Sequence, residues 1–150
     1  FKRAFAYLVS TRGIEAEIVS HFMNDKKIFQ EAKYGNTVFV GYDRDGTPKY
    51  CAMRASSPQK SFKMDAENSD KSFPFFYEGK SDLVIVSEAP IDMLSHATLT
   101  KLHRGDKTTA SPWVVFGTAR WNGIFPGILK LSGLSLHMTT ITWPATKMVF

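Results

Sequence analysis

A chain of 150 residues with 43% hydrophobic and 22% charged residues can bury one core of ordinary size, so one compact domain or two tightly joined subdomains is expected. The formal net charge of +5 favours a polyanionic partner without requiring one. The single cysteine, Cys51, excludes an internal disulfide and any cysteine-based zinc site, and no apolar stretch approaches the ~20 residues needed to cross a bilayer. No signal peptide opens the chain, so a cytoplasmic setting with no membrane partner is expected. The first residue is Phe, which predicts a start inside a longer protein whose other domains are partners.

In chain order, Phe5, Leu8 and Val9 with the small Ala4 and Ala6 predict a short helix from Lys2 to Val9. It stops near Thr11-Arg12-Gly13, where glycine can adopt the left-handed conformation that ends helices. Ile14, Ile18, Val19 and Phe22 recur at helical spacing and predict a second helix from about Glu15 to Met23, closed by Asn24 and Asp25. From Thr37 the period changes to two. Val38, Val40 and Tyr42 alternate with Phe39 and Gly41, Asp43-Arg44-Asp45-Gly46 interrupts, and Pro48 to Met53 resumes an extended pattern, which predicts a β-hairpin. The Asp-x-Asp-Gly string has the start of a calcium loop, but Ala52 stands where that loop needs its bidentate Glu, so turn chemistry is expected. Residues 56–73 are polar and predict a long loop or irregular strands, pinned to the core by Phe62 and by the aromatic cluster Phe73 to Tyr77. A helix is expected over Met93 to Leu102 and a short apolar strand over Trp113 to Phe116.

Leu83-Val84-Ile85-Val86 are apolar without alternation, the pattern of a strand covered on both faces. Glu88 lies just beyond the strand end and Asp92 follows four residues later, while Pro90 suits a first helical turn because its missing N–H is not needed there. Two carboxylates so placed can face one cleft, and oxygen-only ligands suit magnesium or manganese, which bridge to phosphate oxygens. The same spacing fits acids that merely favour a helix N-terminus through its macrodipole, with Asp92 solvated. Spacing leaves both readings open.

The string VIVSEAPIDMLS, Val84 to Ser95, resembles the first motif of Toprim domains, the metal-dependent module of bacterial primases, topoisomerases and related nucleases. In that motif a strand ends in Glu, a small residue follows, and Asp comes four positions after the Glu. Glu88 and Asp92 match; Ala89 stands where many members carry Gly. Upstream, Tyr7-Leu8, Arg12-Gly13-Ile14, a helix, Val38-Phe39-Val40 and a hairpin leading to Arg54 resemble the segment that precedes Toprim in primase catalytic cores. The order is also similar to Toprim-like proteins of bacterial plasmids and other mobile elements, in which a polar F-x-x-D-x-x-x-S-D-K stretch leads into the Glu motif; here it runs from Phe62 through Asp65, Ser69 and Asp70 to Lys71. The resemblance covers about residues 3 to 118.

The resemblance implies an α/β fold with three parts. Residues 1–78 would form an α+β helix-and-hairpin subdomain, 79–118 the first half of a Toprim-like domain, and 119–150 an aberrant tail that leaves the domain incomplete. The Toprim-like part would be a mostly parallel sheet flanked by helices. Glu88 would act as general acid/base or as part of a Mg2+ or Mn2+ site with Asp92, completed by a later Asp-x-Asp pair, in nucleotidyl-transfer or strand-cleavage chemistry of DNA replication. Arg12 and Arg54 match positions of the primase-like pattern and would line a groove for DNA, RNA or nucleotides. As lone arginines they also suit pairing with surface acids.

After Asp106 the chain has no Asp or Glu, so the second acidic motif is absent. A shifted reading frame is one candidate cause. Joining each third base to the next two, Met138 followed by Thr139 forces Asp, the Trp143–Pro144 junction forces Ala, and His137 to Val149 can spell a D-x-D-x-x-A-G string. From about Thr118 onward the chain is therefore expected to be a frameshifted Toprim tail, the alternative being a divergent tail with its own structure. The coding DNA decides between them. In intact relatives the chemistry would be metal-dependent, and in this chain it would be impaired. The alternative from another class is a non-catalytic nucleic-acid-binding or scaffolding module.

Two further groups merit mention. His21, His96, His103 and His137 share no ligand spacing, although His96 follows Asp92 by one helical turn. Lys101, His103, Arg104 and Lys107 form a small basic run, from which Lys101 and Arg104 are candidates to touch phosphates; a solvated helix end explains the run equally well.

Overall fold

The structure, a computed structural model, describes residues 1–57, 62–77, 83–104, 113–115 and 141–144. Helix α1 (Lys2–Ala6) passes directly into a π-helical turn (Tyr7–Thr11). The free N–H groups of α1 are satisfied from a distance: Arg3 and Ala4 both donate to Gln30 Oε1, at 2.8 and 3.1 Å. Gly13, at φ 69°, ends the turn as its sequence position predicts. Helix α2 (Ala16–Asn24) buries Val19 and Phe22, the face that the apolar period predicts.

Four strands follow in one antiparallel sheet of order β1-β2-β3-β4: β1 (Ile28–Gln30), β2 (Thr37–Tyr42), β3 (Pro48–Arg54) and β4 (Lys63–Asp65). The β2–β3 hairpin is the expected one. Its turn uses the Asp43 carboxylate, whose Oδ1 accepts from the N–H groups of Asp45 and Thr47 at 3.0 and 2.8 Å, and Gly46 takes φ 77°. Turn chemistry therefore accounts for the Asp-x-Asp-Gly string.

The polar stretch before Phe73 is laced to the β3 edge rather than forming a free loop. Ser69 Oγ accepts from Cys51 N–H at 3.1 Å and donates to Cys51 O at 3.2 Å, and Asp70 N–H donates to Lys49 O at 2.8 Å. Asp65 accepts from Tyr50 Oη at 2.9 Å and pairs with Lys71 at 2.8 Å. The F-x-x-D-x-x-x-S-D-K residues thus have structural work, apart from Phe62. That ring is 38% exposed, so the expectation that it pins the loop to the core does not hold. The pin is Phe75, fully buried with its ring 5.3 Å from Phe22 and 5.6 Å from Phe39.

Tyr50 carries a pH dependence. Burial, and then the neighbouring Asp65 carboxylate, raise its phenol above the ordinary value of 10.0. A group whose acidity is weakened by folding gives stability that is fully present below its unfolded pKa and declines as pH rises above it. Urea midpoints measured between about pH 9 and about pH 11 should fall with pH in the wild type and fall less in Tyr50→Phe. Equal slopes would refute the assignment. Tyr42, raised by burial as well, carries part of what remains.

The second sheet has the order β5-β7-β6-β8, with β5 (Phe76–Tyr77), β6 (Leu83–Ser87), β7 (Trp113–Val115) and β8 (Ile141–Pro144). Helix α3 (Pro90–Arg104) lies between β6 and β7 in sequence, and those two strands pair in parallel; β5–β7 and β6–β8 are antiparallel. The chain is a mixed α/β protein, but the expectation of a mostly parallel sheet is corrected. Only the pair joined through α3 has the long crossover that parallel strands need, and the tail strand β8 returns in the opposite direction. Apart from β8, the tail from Phe116 onward lies outside the described residues, and with it the expected frameshift.

One buried cluster serves both parts of the chain. It runs from Leu8, Ile14, Val19 and Phe22 through Ile28, Phe39, Tyr50 and Phe75 to Ile91, Met93, Leu94 and Ala97. Helices α2 and α3 are tied further by Glu15 N–H, which donates to Thr98 Oγ1 at 3.0 Å and so caps α2 from the other helix. No helix among the described residues is long and apolar enough to cross a membrane.

Candidate nucleic-acid and metal site

Three separate parts of the chain meet in one cleft of about 330 Å³. Its lining includes Arg12, Arg54, Glu88 and Asp92, four of the six residues singled out from sequence. Each arrives by a distinct local device.

Arg12 comes from the end of the π-helical turn. Its backbone N–H donates to Tyr7 O at 3.0 Å, an i→i+5 bond that stacks Arg12 over Tyr7. In an α-helix residues five apart point about 140° away from one another. The π geometry puts both Tyr7 and Arg12 on the cleft, a pairing that no α-helical pattern search would find.

Arg54 closes β3, opposite Thr37 on β2 and Lys63 on β4. The strand end is held by a buried hydroxyl pair, Thr37 Oγ1 and Ser56 Oγ, 2.7 Å apart. Arg54 is therefore anchored by its backbone, and the residue as a whole is half-buried.

Glu88 sits in the bend after β6 and is exposed, following the buried Ser87. Pro90 opens α3, as its missing N–H allows, and Asp92 lies in the first turn with its N–H donating to Ala89 O at 3.0 Å. Asp92 is exposed, lines the cleft and also occupies the position a helix dipole favours. Glu88 and Asp92 thus line the same cleft.

Among the described residues, none of these four side chains forms an ion pair with another charged side chain. Two arginines and two acidic residues thus line one cleft with no direct ion pair among them, an arrangement able to meet both an anion and a cation. No group of three or more His, Cys, Asp and Glu comes together among the described residues. Glu88 and Asp92 alone do not enclose an ion. They fit the smaller share that magnesium takes from protein when water and phosphate complete its shell.

Lys101 stands elsewhere. It lies roughly 14 Å along the α3 axis from Asp92 and forms an ion pair with Glu17 of α2, whose carboxyl is held below its ordinary value by that hydrogen bond and by the ammonium charge. It is not among the cleft-lining residues, and its ion pair joins α2 to α3. Arg104 ends α3, and its side chain lies outside the described residues. His96 Nδ1 is 3.2 Å from Thr100 Oγ1, and His96 also is not part of the lining.

Sequence reasoning missed Tyr7, Ser57, Phe62 and Ile91 as lining residues. A smaller pocket of about 160 Å³ adjoins the cleft and shares Arg54, Glu88 and Ala89 with it; Tyr50, Lys63, Met64 and Asp65 are among its other lining residues.

The family described as protein of unknown function, DUF3991, matches residues 6–81. The chain belongs to this family. No curated protein matches the chain, and no solved structure matches it. The DUF3991 segment contains Tyr7, Arg12, Arg54 and Phe62 and ends before Glu88 and Asp92. The basic and aromatic half of the cleft is thus family sequence, while the acidic half comes from the β6–α3 bend beyond it.

Proposed function

We propose that this chain is a DNA-associated, Toprim-like protein of the primase-related kind found on bacterial mobile elements, and that the cleft binds nucleic-acid phosphate together with a divalent cation. The observation that carries the reading is the convergence of Arg12, Arg54, Glu88 and Asp92, none paired with another charge among the described residues. Arginine presents a planar fork suited to phosphate oxygens. The carboxylates would hold magnesium or manganese, which would neutralise phosphate charge during nucleotidyl transfer or strand cleavage. Further support comes from the strand–Glu–helix order of β6, Glu88 and α3 and from the parallel β6–β7 pair joined through that helix.

Calorimetry with magnesium and with manganese tests the acidic half. Binding heat is expected with the unaltered chain and not with Glu88→Gln; the same weak heat in both would refute a metal role for Glu88. A second reading is a non-catalytic nucleic-acid-binding module, favoured by the absence of a third metal-ligating side chain beside the pair among the described residues. It predicts salt-dependent DNA affinity that Glu88→Gln leaves unchanged and no metal heat in either chain.

A further inference from the structure

We propose that Phe62 is a stacking platform for an unpaired nucleobase whose flanking phosphates are held by Arg12 and Arg54; this rests on the nucleic-acid reading above. The large aromatic rings of the core are fully or almost fully buried, with Phe39 and Phe75 at 0% and Phe22 at 3% exposure, whereas Phe62 is 38% exposed although it lines a cleft. Nothing in the hydrophobic cluster uses it.

Its backbone is nonetheless fixed. Ala55 N–H donates to Phe62 O at 3.2 Å, which ties the residue to the chain immediately after Arg54, and β4 begins at the next residue. A ring on a tethered backbone, in a cleft lined by Arg12 and Arg54, offers a π-face, and every base can stack on such a face. The adjoining pocket shares Arg54 with the cleft and reaches Lys63, the residue after Phe62. An aromatic face beside cationic side chains suits a flexible strand with splayed bases. A duplex, with its bases stacked inside, would leave the ring unused.

The test compares a short dye-labelled oligothymidylate with an abasic strand of equal length and charge, using fluorescence anisotropy on the full chain. Phe62→Ala is expected to weaken oligothymidylate binding roughly 5- to 150-fold, to leave the abasic strand unaffected, and to leave the salt slope of both unchanged. Phe62→Trp should retain the affinity, and Phe62→Leu, which keeps apolar bulk without the π-face, should behave like alanine. Equal loss on both strands, or no loss on either, overturns the stacking role. Arg12→Ala and Arg54→Ala separate the two proposals. If they weaken both strands while Phe62→Ala does not discriminate, only the stacking role fails. If the unaltered chain binds neither strand, or the arginine variants bind both as well as it does, the phosphate reading fails and the stacking role with it.

Discussion

Replacing both Arg12 and Arg54 with alanine is expected to weaken binding of a DNA oligonucleotide by about 100-fold or more. A charge-assisted hydrogen bond contributes about 1.5–3 kcal/mol, and two would be lost. The slope of log affinity against log salt should also fall by about two, because each phosphate contact releases roughly one counterion. The slope is the more telling quantity. An arginine that merely shapes the cleft would alter affinity without altering the number of ions released. Neither guanidinium has an ion pair among the described residues, so the double variant should fold as the wild type does. Lys101→Ala is the matching comparison: it removes one positive charge outside the cleft lining, together with the ion pair to Glu17, and DNA affinity should change little. Titrations at several salt concentrations check all three chains. An unchanged slope in the double variant would remove Arg12 and Arg54 from any phosphate contact.

The second large effect concerns the fold. Gly41→Ala is expected to destabilise the chain by about 3 kcal/mol, read as a lower urea midpoint. A Cβ at this position would lie 2.0 Å from Phe73 O and 2.7 Å from Pro74 O, and both are backbone atoms that cannot rotate aside. The crossing segment leads straight into Phe75, the ring that joins Phe22 and Phe39, so relief of the clash would pull on the core. The β2–β3 register also shifts between Gly41 and Tyr42. Gly46 offers a contrast. It has open space around it and a φ of 77°, so Gly46→Ala meets only backbone strain, about 1 kcal/mol. A Gly41→Ala chain as stable as Gly46→Ala would mean that residues 73–74 do not cross β2 this closely.

Much of this architecture can be read from local pattern. The hairpin with its Asp43 turn, helix α2 and the β6–Glu88–α3 sequence each rest on a period or a turn signal several residues long. Strands β1 and β4 have three residues each, too few to show alternation, and they exist because longer neighbours offer them an edge. The π-helical turn is equally silent in the sequence, since Tyr7 and Arg12 have no special relation at α-helical spacing. The ion pair of Lys101 with Glu17 was equally hidden, because Glu17 is distant along the chain. Phe62 was misassigned to the core because an aromatic residue in a polar stretch is usually an anchor; its position beside Arg54 becomes apparent only once β4 is seen to run along β3. The cleft itself joins residues from three regions, and only the resemblance to primase-like and Toprim motifs linked them beforehand.

The buried cluster described above crosses the end of the DUF3991 segment. Family sequence stops at residue 81, yet Ile91, Met93, Leu94 and Ala97 complete the apolar surface begun by Leu8, Ile14 and Val19. A fragment cut at the family boundary would present that surface to water, together with a helix α2 deprived of its Thr98 cap. The unit that can be recognised by sequence is therefore smaller than the unit that can fold cooperatively. In this chain, the peptide that supplies the missing apolar layer also carries the two carboxylates, so a cut that uncovers the core also removes the acidic side of the cleft.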